Sequence, residues 1–227
     1  MINFFQLVDQ FLRGRGTFSV DRPAAGRVKY LLLFVLVFGT LYGAVMGTFT
    51  GMGSGRQLQL LYSGIKVPLL LLVTFLLCLP SFFVVNTLLG LWGDFGKALN
   101  AVLSAQACIA VVLVSLAPLT LFFYLSTNSY RLALFFNGLV FAAASISGLF
   151  VIRRYYRPLI ERKPVHKIML YFWLFFYIFV GIQMSWVLRP FIGSPDLPVA
   201  FFRKEAWGNA YVVVANLIGD IFRILFQ

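Results

Sequence analysis

The chain has 227 residues, 61% of them hydrophobic and only 11% charged, against roughly a quarter charged in an average globular protein. Little of it is therefore available for a water-soluble domain. Its 19 Lys and Arg outnumber 7 Asp and Glu, but they stand at the ends of apolar runs. The excess points to membrane orientation and anionic headgroups and excludes nucleic acid as the expected partner.

Residues 1–13 read as a helix lying in the membrane interface. Phe4, Phe5, Val8, Phe11 and Leu12 fall on one face and Gln6, Asp9, Gln10 and Arg13 on the other. The helix either packs on the bundle or anchors it to a membrane or partner. Polar residues interrupt the opening MINFFQLVDQFLRGR, and no small-residue cleavage site follows, so no cleavable signal peptide is expected. Residues 14–29 are polar and turn-rich.

The first span is expected from Tyr30 to Thr50. Gly39, Gly43 and Gly47 recur at every fourth residue, within about 80° of one face. Such a strip lets another helix approach closely. The partner is either a helix of this chain or a second subunit. Residues 51–66 read as a loop. The second span, 67–90, opens an uncharged stretch between Lys66 and Asp94, long enough for a hydrocarbon core of about 30 Å. Pro80 near its middle is expected to kink it.

A third span covers about 101–124 and includes Gln106, Cys108 and Pro118. A fourth covers about 132–152, where Gly138, Ala142, Ser145 and Gly148 suggest a second close-packing surface. The loop RRYYRPLIERKPVHK follows. It is the most basic segment, with Arg153, Arg154, Arg157, Arg162, Lys163 and Lys167 offered to headgroups or a partner. The fifth span, 168–188, is rich in aromatic residues and ends at Arg189 and Pro190.

Residues 190–208 read as irregular. In 209–227 a narrow stripe of Asn209, Asn216, Asp220, Arg223 and Gln227 marks either a surface helix or a sixth span. The surface helix is preferred because Asp220 and Arg223, a possible ion pair, interrupt the apolar run. The expected fold is thus all-α, a polytopic transmembrane bundle. It comprises an amphipathic segment 1–29, a five-span domain 30–189 and a C-terminal part 190–227. With five spans and the N-terminus in the cytoplasm, twelve Lys and Arg lie inside and seven outside, as the positive-inside rule favours.

Absent residue types limit the chemistry. The only histidine is His166, so bis-histidine haem and multi-histidine metal sites are excluded, and a Ser–His–acid triad would have only Glu161 nearby. Cys78 and Cys108 lie in apolar spans and read as core side chains rather than a disulfide or metal pair. None of the five expected spans carries an ionisable group in its interior, which argues against a proton- or sodium-coupled mechanism. The amides Asn86, Gln106, Asn137 and Gln183 are expected to bond neighbouring helices in two polar clusters, one at each end of the bundle. No cofactor and no catalytic residue is expected.

The stretch KVPLLLLVTFLLCLPSFFVVNTLLG, Lys66–Gly90, resembles the bacterial branch of Yip-type membrane proteins. That resemblance implies five spans with a cytoplasmic N-terminal region. Together with the missing targeting signals it places the chain in the bacterial inner membrane. Eukaryotic Yip proteins organise membranes and bind small GTPases, a role that maps to no residue here. The segment FVGIQMSWVLRPFIGSP, Phe179–Pro195, resembles a feature that recurs in bacterial membrane proteins. The expected function is a non-enzymatic scaffold or accessory subunit that binds other membrane subunits, or itself, through helix packing. The alternative is a channel or transporter component with a path near Pro80, Asn86 and Gln106.

Overall fold

The computed structural model describes residues 3–19, 26–49, 56–194 and 197–203. Seven α-helices occur among them: α1 Phe4–Arg13, α2 Val28–Gly47, α3 Gln57–Leu88, α4 Phe95–Ser115, α5 Ala117–Ser126, α6 Tyr130–Arg162 and α7 Val165–Val187. Five, α2, α3, α4, α6 and α7, are long and apolar enough to cross a membrane. The architecture is the expected all-α multi-pass bundle. One end carries α1 and the α3–α4 and α6–α7 turns. The other carries α5, the end of α2, the start of α3 and the described residues after α7.

Several boundaries differ from the sequence reading. The second span begins ten residues earlier than expected, at Gln57, and α3 runs through both Pro68 and Pro80. The expected third span divides: α4 stops at Ser115 and α5 starts at Ala117. Pro118 sits in the first turn of α5, where its missing N–H costs no bond. The basic stretch 153–162 is helical, not a loop, because α6 continues to Arg162. Ile152, Tyr155, Tyr156 and Leu159 keep one face buried there, and the Tyr155 hydroxyl donates to the Phe18 carbonyl at 2.6 Å.

Helix α4 is the centre. It is 72% buried over its most apolar stretch, against 17% for α7. It packs between α2 and α6, while α7 docks on α3 and meets α6 sparsely. Small side chains allow this: Ala98, Ala101, Ala105, Ala107 and Ala110 are all buried on α4. On α7, Ile168 and Phe175 are 64% and 70% exposed, as a lipid-facing surface requires.

Helix α1 closes one end. Phe4 and Phe11 pack against Phe34 at 5.7 and 5.6 Å between ring centres, whereas Phe5 is 80% exposed. The apolar face of α1 is thus divided: one side packs on the bundle, as one of its two expected roles requires, and the other is exposed. Gly14 terminates the helix at φ 65°, a left-handed conformation that glycine adopts without strain.

Candidate functional site

The sparse contact between α6 and α7 leaves a cleft with α4 as its floor. Its volume is about 860 Å³, at the upper end of ordinary ligand sites. Ile109 and Ala105 of α4, Phe141 and Leu149 of α6, and Leu174 and Ile178 of α7 give it an apolar lining. Trp173 of α7 and Arg189, two residues past the end of that helix, both line it. The cleft lies between two of the five helices that are long and apolar enough to cross a membrane.

Two amides, Gln106 and Asn137, are among the polar groups in this lining. Gln106 is buried on α4, and its Nε2 donates to the Leu71 carbonyl at 3.1 Å and to the Tyr177 hydroxyl at 2.9 Å. Its Oε1 has no hydrogen-bond partner among the described residues. Asn137, nearer the α5 end, also lines the cleft. It accepts from the Tyr42 hydroxyl at 3.0 Å and donates to the Tyr124 hydroxyl and the Ala133 carbonyl, each at 2.7 Å. Asn137 thereby joins α2, α5 and α6, as the expectation of helix-to-helix bonding holds.

The rim at the α5 end is built by a polar stripe that the sequence reading missed. Gln59, Ser63 and Lys66 are spaced 4 and 3 apart on α3 and are all buried. Lys66 Nζ donates to the Pro190 carbonyl at 2.8 Å and lies 4.9 Å from the centre of the Phe201 ring. Ser63 Oγ donates to the Phe191 carbonyl, and Gln59 Nε2 donates to Ser63 Oγ at 2.9 Å. Arg56 Nη1 donates to the Ser194 carbonyl at 3.1 Å. The segment after α7, which follows a cis Arg189–Pro190 bond, is thus tied to α3 and its N-cap Arg56 through the carbonyls of Pro190, Phe191 and Ser194.

This corrects two expectations. Residues 57–66 are helix rather than loop, and an ionisable group does lie inside a span. The missed signal was the helical spacing of Gln59, Ser63 and Lys66, which reads as loop polarity unless the carbonyls facing it are known.

The tether presents arginines to the cleft. Arg189 stacks on Trp186, with its guanidinium carbon 3.4 Å from the ring centre. Arg189 and Arg203 both line the cleft, and both act electrostatically on Tyr130 at the start of α6. The carboxylates among the described residues, Asp9, Asp94 and Glu161, all belong to the α1 end.

At that α1 end the expected clusters rearrange. Asn86 bonds locally, donating to the Leu91 carbonyl at 3.0 Å to close α3. It does not join Gln106, and neither Asn86 nor Pro80 lines the cleft. The proposed path through Pro80, Asn86 and Gln106 is therefore not assembled as one channel. Gln183 is half-buried on α7.

His166 is fully buried, with Nε2 3.4 Å from Asp94 Oδ2, while Lys97 Nζ holds Asp94 Oδ1 at 2.9 Å. Asp94, not Glu161, is thus the nearest acid to the histidine. Glu161 pairs with Arg157 at 2.9 Å on the surface. The His166–Asp94 contact links the α6–α7 turn to the α3–α4 turn. Arg153, Arg154, Arg157, Arg162, Lys163 and Lys167 are all exposed, and Arg154 donates to the Leu12 carbonyl at 3.2 Å, holding α1.

The glycine strip packs inside the chain. A Cβ on Gly43 would stand 2.9 Å from the Gly64 Cα, and one on Gly47 would stand 2.6 Å from the Leu60 Cα. Gly39 faces Pro68 at 3.3 Å. All three therefore serve the α2–α3 contact. Gly148 meets Ile109 of α4 at 2.9 Å, but a Cβ on Gly138 would have nothing within 4 Å. Gly138 is accordingly not a packing residue; it lines the cleft. The pair Asp220 and Arg223 lies outside the described residues. No protein-family model matches this chain, no curated protein matches it, and no solved structure matches it.

Proposed function

We propose that the chain is a non-enzymatic membrane subunit, a scaffold or accessory protein, whose receiving surface is the α6–α7 cleft. The observation that carries this reading is the cleft itself: a largely apolar space of about 860 Å³ between two candidate spans. Buried apolar surface of this kind is stabilised when another membrane-borne group fills it. The glycine strip, being used within the chain, supports internal rigidity rather than subunit contact. The described residues lining the cleft include no carboxylate, histidine or thiol, which favours binding over acid–base or nucleophilic chemistry.

The α1 end is assigned to the cytoplasm by its larger share of Lys and Arg. The Yip-like stretch at Lys66–Gly90 and the bacterial inner membrane belong to the same reading. A photoreactive residue in place of Leu174, inside the cleft, is expected to capture one defined membrane component. The same residue in place of Phe175, on the lipid face, should capture only bulk lipid. Identical capture patterns at the two positions would rule the cleft out as the receiving surface.

A further inference from the structure

We infer that the cleft takes an uncharged lipid with a free hydroxyl group, a long-chain alcohol, whose O–H donates to Gln106 Oε1. This rests on the reading of the cleft as the receiving surface and names the chemistry of its occupant. Three features select that chemistry.

The first is an acceptor with nothing to accept. Gln106 is 1% exposed and lines the cleft. Its Nε2 donates to the Leu71 carbonyl and to the Tyr177 hydroxyl. A carbonyl only accepts, so the nitrogen end of the amide must face Leu71 and the flipped amide is excluded. Oε1 is left without a partner among the described residues. A buried amide oxygen in that state is destabilising until a donor reaches it.

The second is a donor beside it. The Tyr177 hydroxyl accepts from Gln106 Nε2 at 2.9 Å, and its own proton has no acceptor among the described residues. Tyr177 lines the same cleft, and its ring stacks on Trp173 at 4.8 Å between centres, which steadies the hydroxyl. A ligand hydroxyl that donates to Oε1 and accepts from Tyr177 uses both groups. A primary amide or a carboxyl group brings more donors and acceptors than the two can meet.

The third is depth and lining. Gln106 stands near the middle of α4, a helix long and apolar enough to cross a membrane. Ala105, Ile109, Leu149, Leu174 and Ile178 supply apolar walls around it. A charged group at that depth loses its hydration with no counter-charge among these residues, whereas an alkyl chain fills the same space favourably. A water molecule would meet Oε1 but leave most of the 860 Å³ unfilled.

The test uses the full chain in phosphatidylcholine vesicles and two photoreactive probes. One is hexadecanol with a diazirine in mid-chain. The other is its methyl ether, which accepts a hydrogen bond and has none to donate. Adducts are located residue by residue by mass spectrometry. The alcohol is expected to label Leu174 and Ile178, in the cleft, about fivefold more than the ether, the ratio that one neutral hydrogen bond supplies. At the exposed Phe175 the two probes should label equally. Gln106→Leu should bring the ratio in the cleft close to one while the ether still labels there, which also shows that the variant folds. Tyr177→Phe, which takes the donor from both probes, should weaken labelling by both and keep the ratio.

Equal labelling of Leu174 and Ile178 by the two probes, above that of Phe175, would overturn the inference and leave the cleft reading standing. An unchanged preference for the alcohol in Gln106→Leu would overturn it as well. Should that variant fail to fold, the comparison of alcohol and ether on the parent protein decides alone. Labelling no higher in the cleft than at Phe175, with either probe, would defeat both readings together.

Discussion

Replacing Lys66 with Met tests whether the buried stripe on α3 holds the cleft rim. Methionine keeps most of the apolar stem and removes the ammonium. The lost bond, from Lys66 Nζ to the Pro190 carbonyl at 2.8 Å, is charge-assisted and buried, a class worth about 1.5–3 kcal/mol. The contact with the Phe201 ring at 4.9 Å adds about 1 kcal/mol. Against this, the variant no longer desolvates an ammonium, which returns part of the loss. A net destabilisation of about 2 kcal/mol follows, or about 4–8 °C in Tm for a chain of this size.

Two measurements check it. Thermal unfolding in detergent reads the stability, and the Ser194→Cys thiol, buried at 8% exposure in the parent, reads the rim locally. Maleimide should label that thiol slowly in the parent background and at least several-fold faster with Lys66→Met. An unchanged Tm together with unchanged labelling would refute the tether and the claim that α3 organises the segment after α7.

Four further outcomes are expected. Gly43→Leu drives a side chain into the α3 backbone, which an added Cβ already meets at 2.9 Å from the Gly64 Cα. It should cost about 3 kcal/mol and lower the yield of folded protein in detergent, whereas Gly138→Leu should leave the melting temperature within a degree of the parent. Tyr124→Phe removes the hydroxyl bonded to Asn137 at 2.7 Å and should cost about 0.6–2 kcal/mol by thermal unfolding. His166→Ala empties a fully buried position beside Asp94 and should cost about 1–2 kcal/mol, while Glu161→Gln on the exposed face should leave the melt unchanged. Arg154→Ala frees the Leu12 carbonyl and should speed proteolysis within α1 without altering protection of the spans.

The five spans were legible because lipid imposes a simple requirement. Any crossing segment must satisfy its backbone internally and be apolar over about 20 residues, and both conditions are local. The amphipathic α1 was legible for the same reason, since its two faces repeat at helical spacing. Close packing at Gly39, Gly43 and Gly47 could be read from their period, but not the identity of the partner helix. That depends on which backbone comes within reach, and here it is α3.

Hidden in the sequence was everything that needs a carbonyl from elsewhere in the chain. Lys66 looked like a boundary because a charge at the edge of an apolar run normally marks one. Its partner, the Pro190 carbonyl, lies 124 residues away, and only that bond makes a lysine tolerable inside α3. Gln106 and Asn86 looked like one cluster because both were assigned to the same side of the membrane. The fold separates them: Gln106 sits at mid-depth against Tyr177, and Asn86 closes its own helix.

The sequence alone determined that this is a helical, multi-pass membrane chain with five apolar spans, though not their ends, because hydrophobicity and periodicity are properties of contiguous residues. Only the tertiary structure decided which helix is central, that α6 and α7 stand apart, and which residues line the resulting cleft. Those features depend on how side chains of different size stack across space. The alanines of α4 draw its neighbours in, and the bulky aromatics of α7 leave its outer face to the lipid.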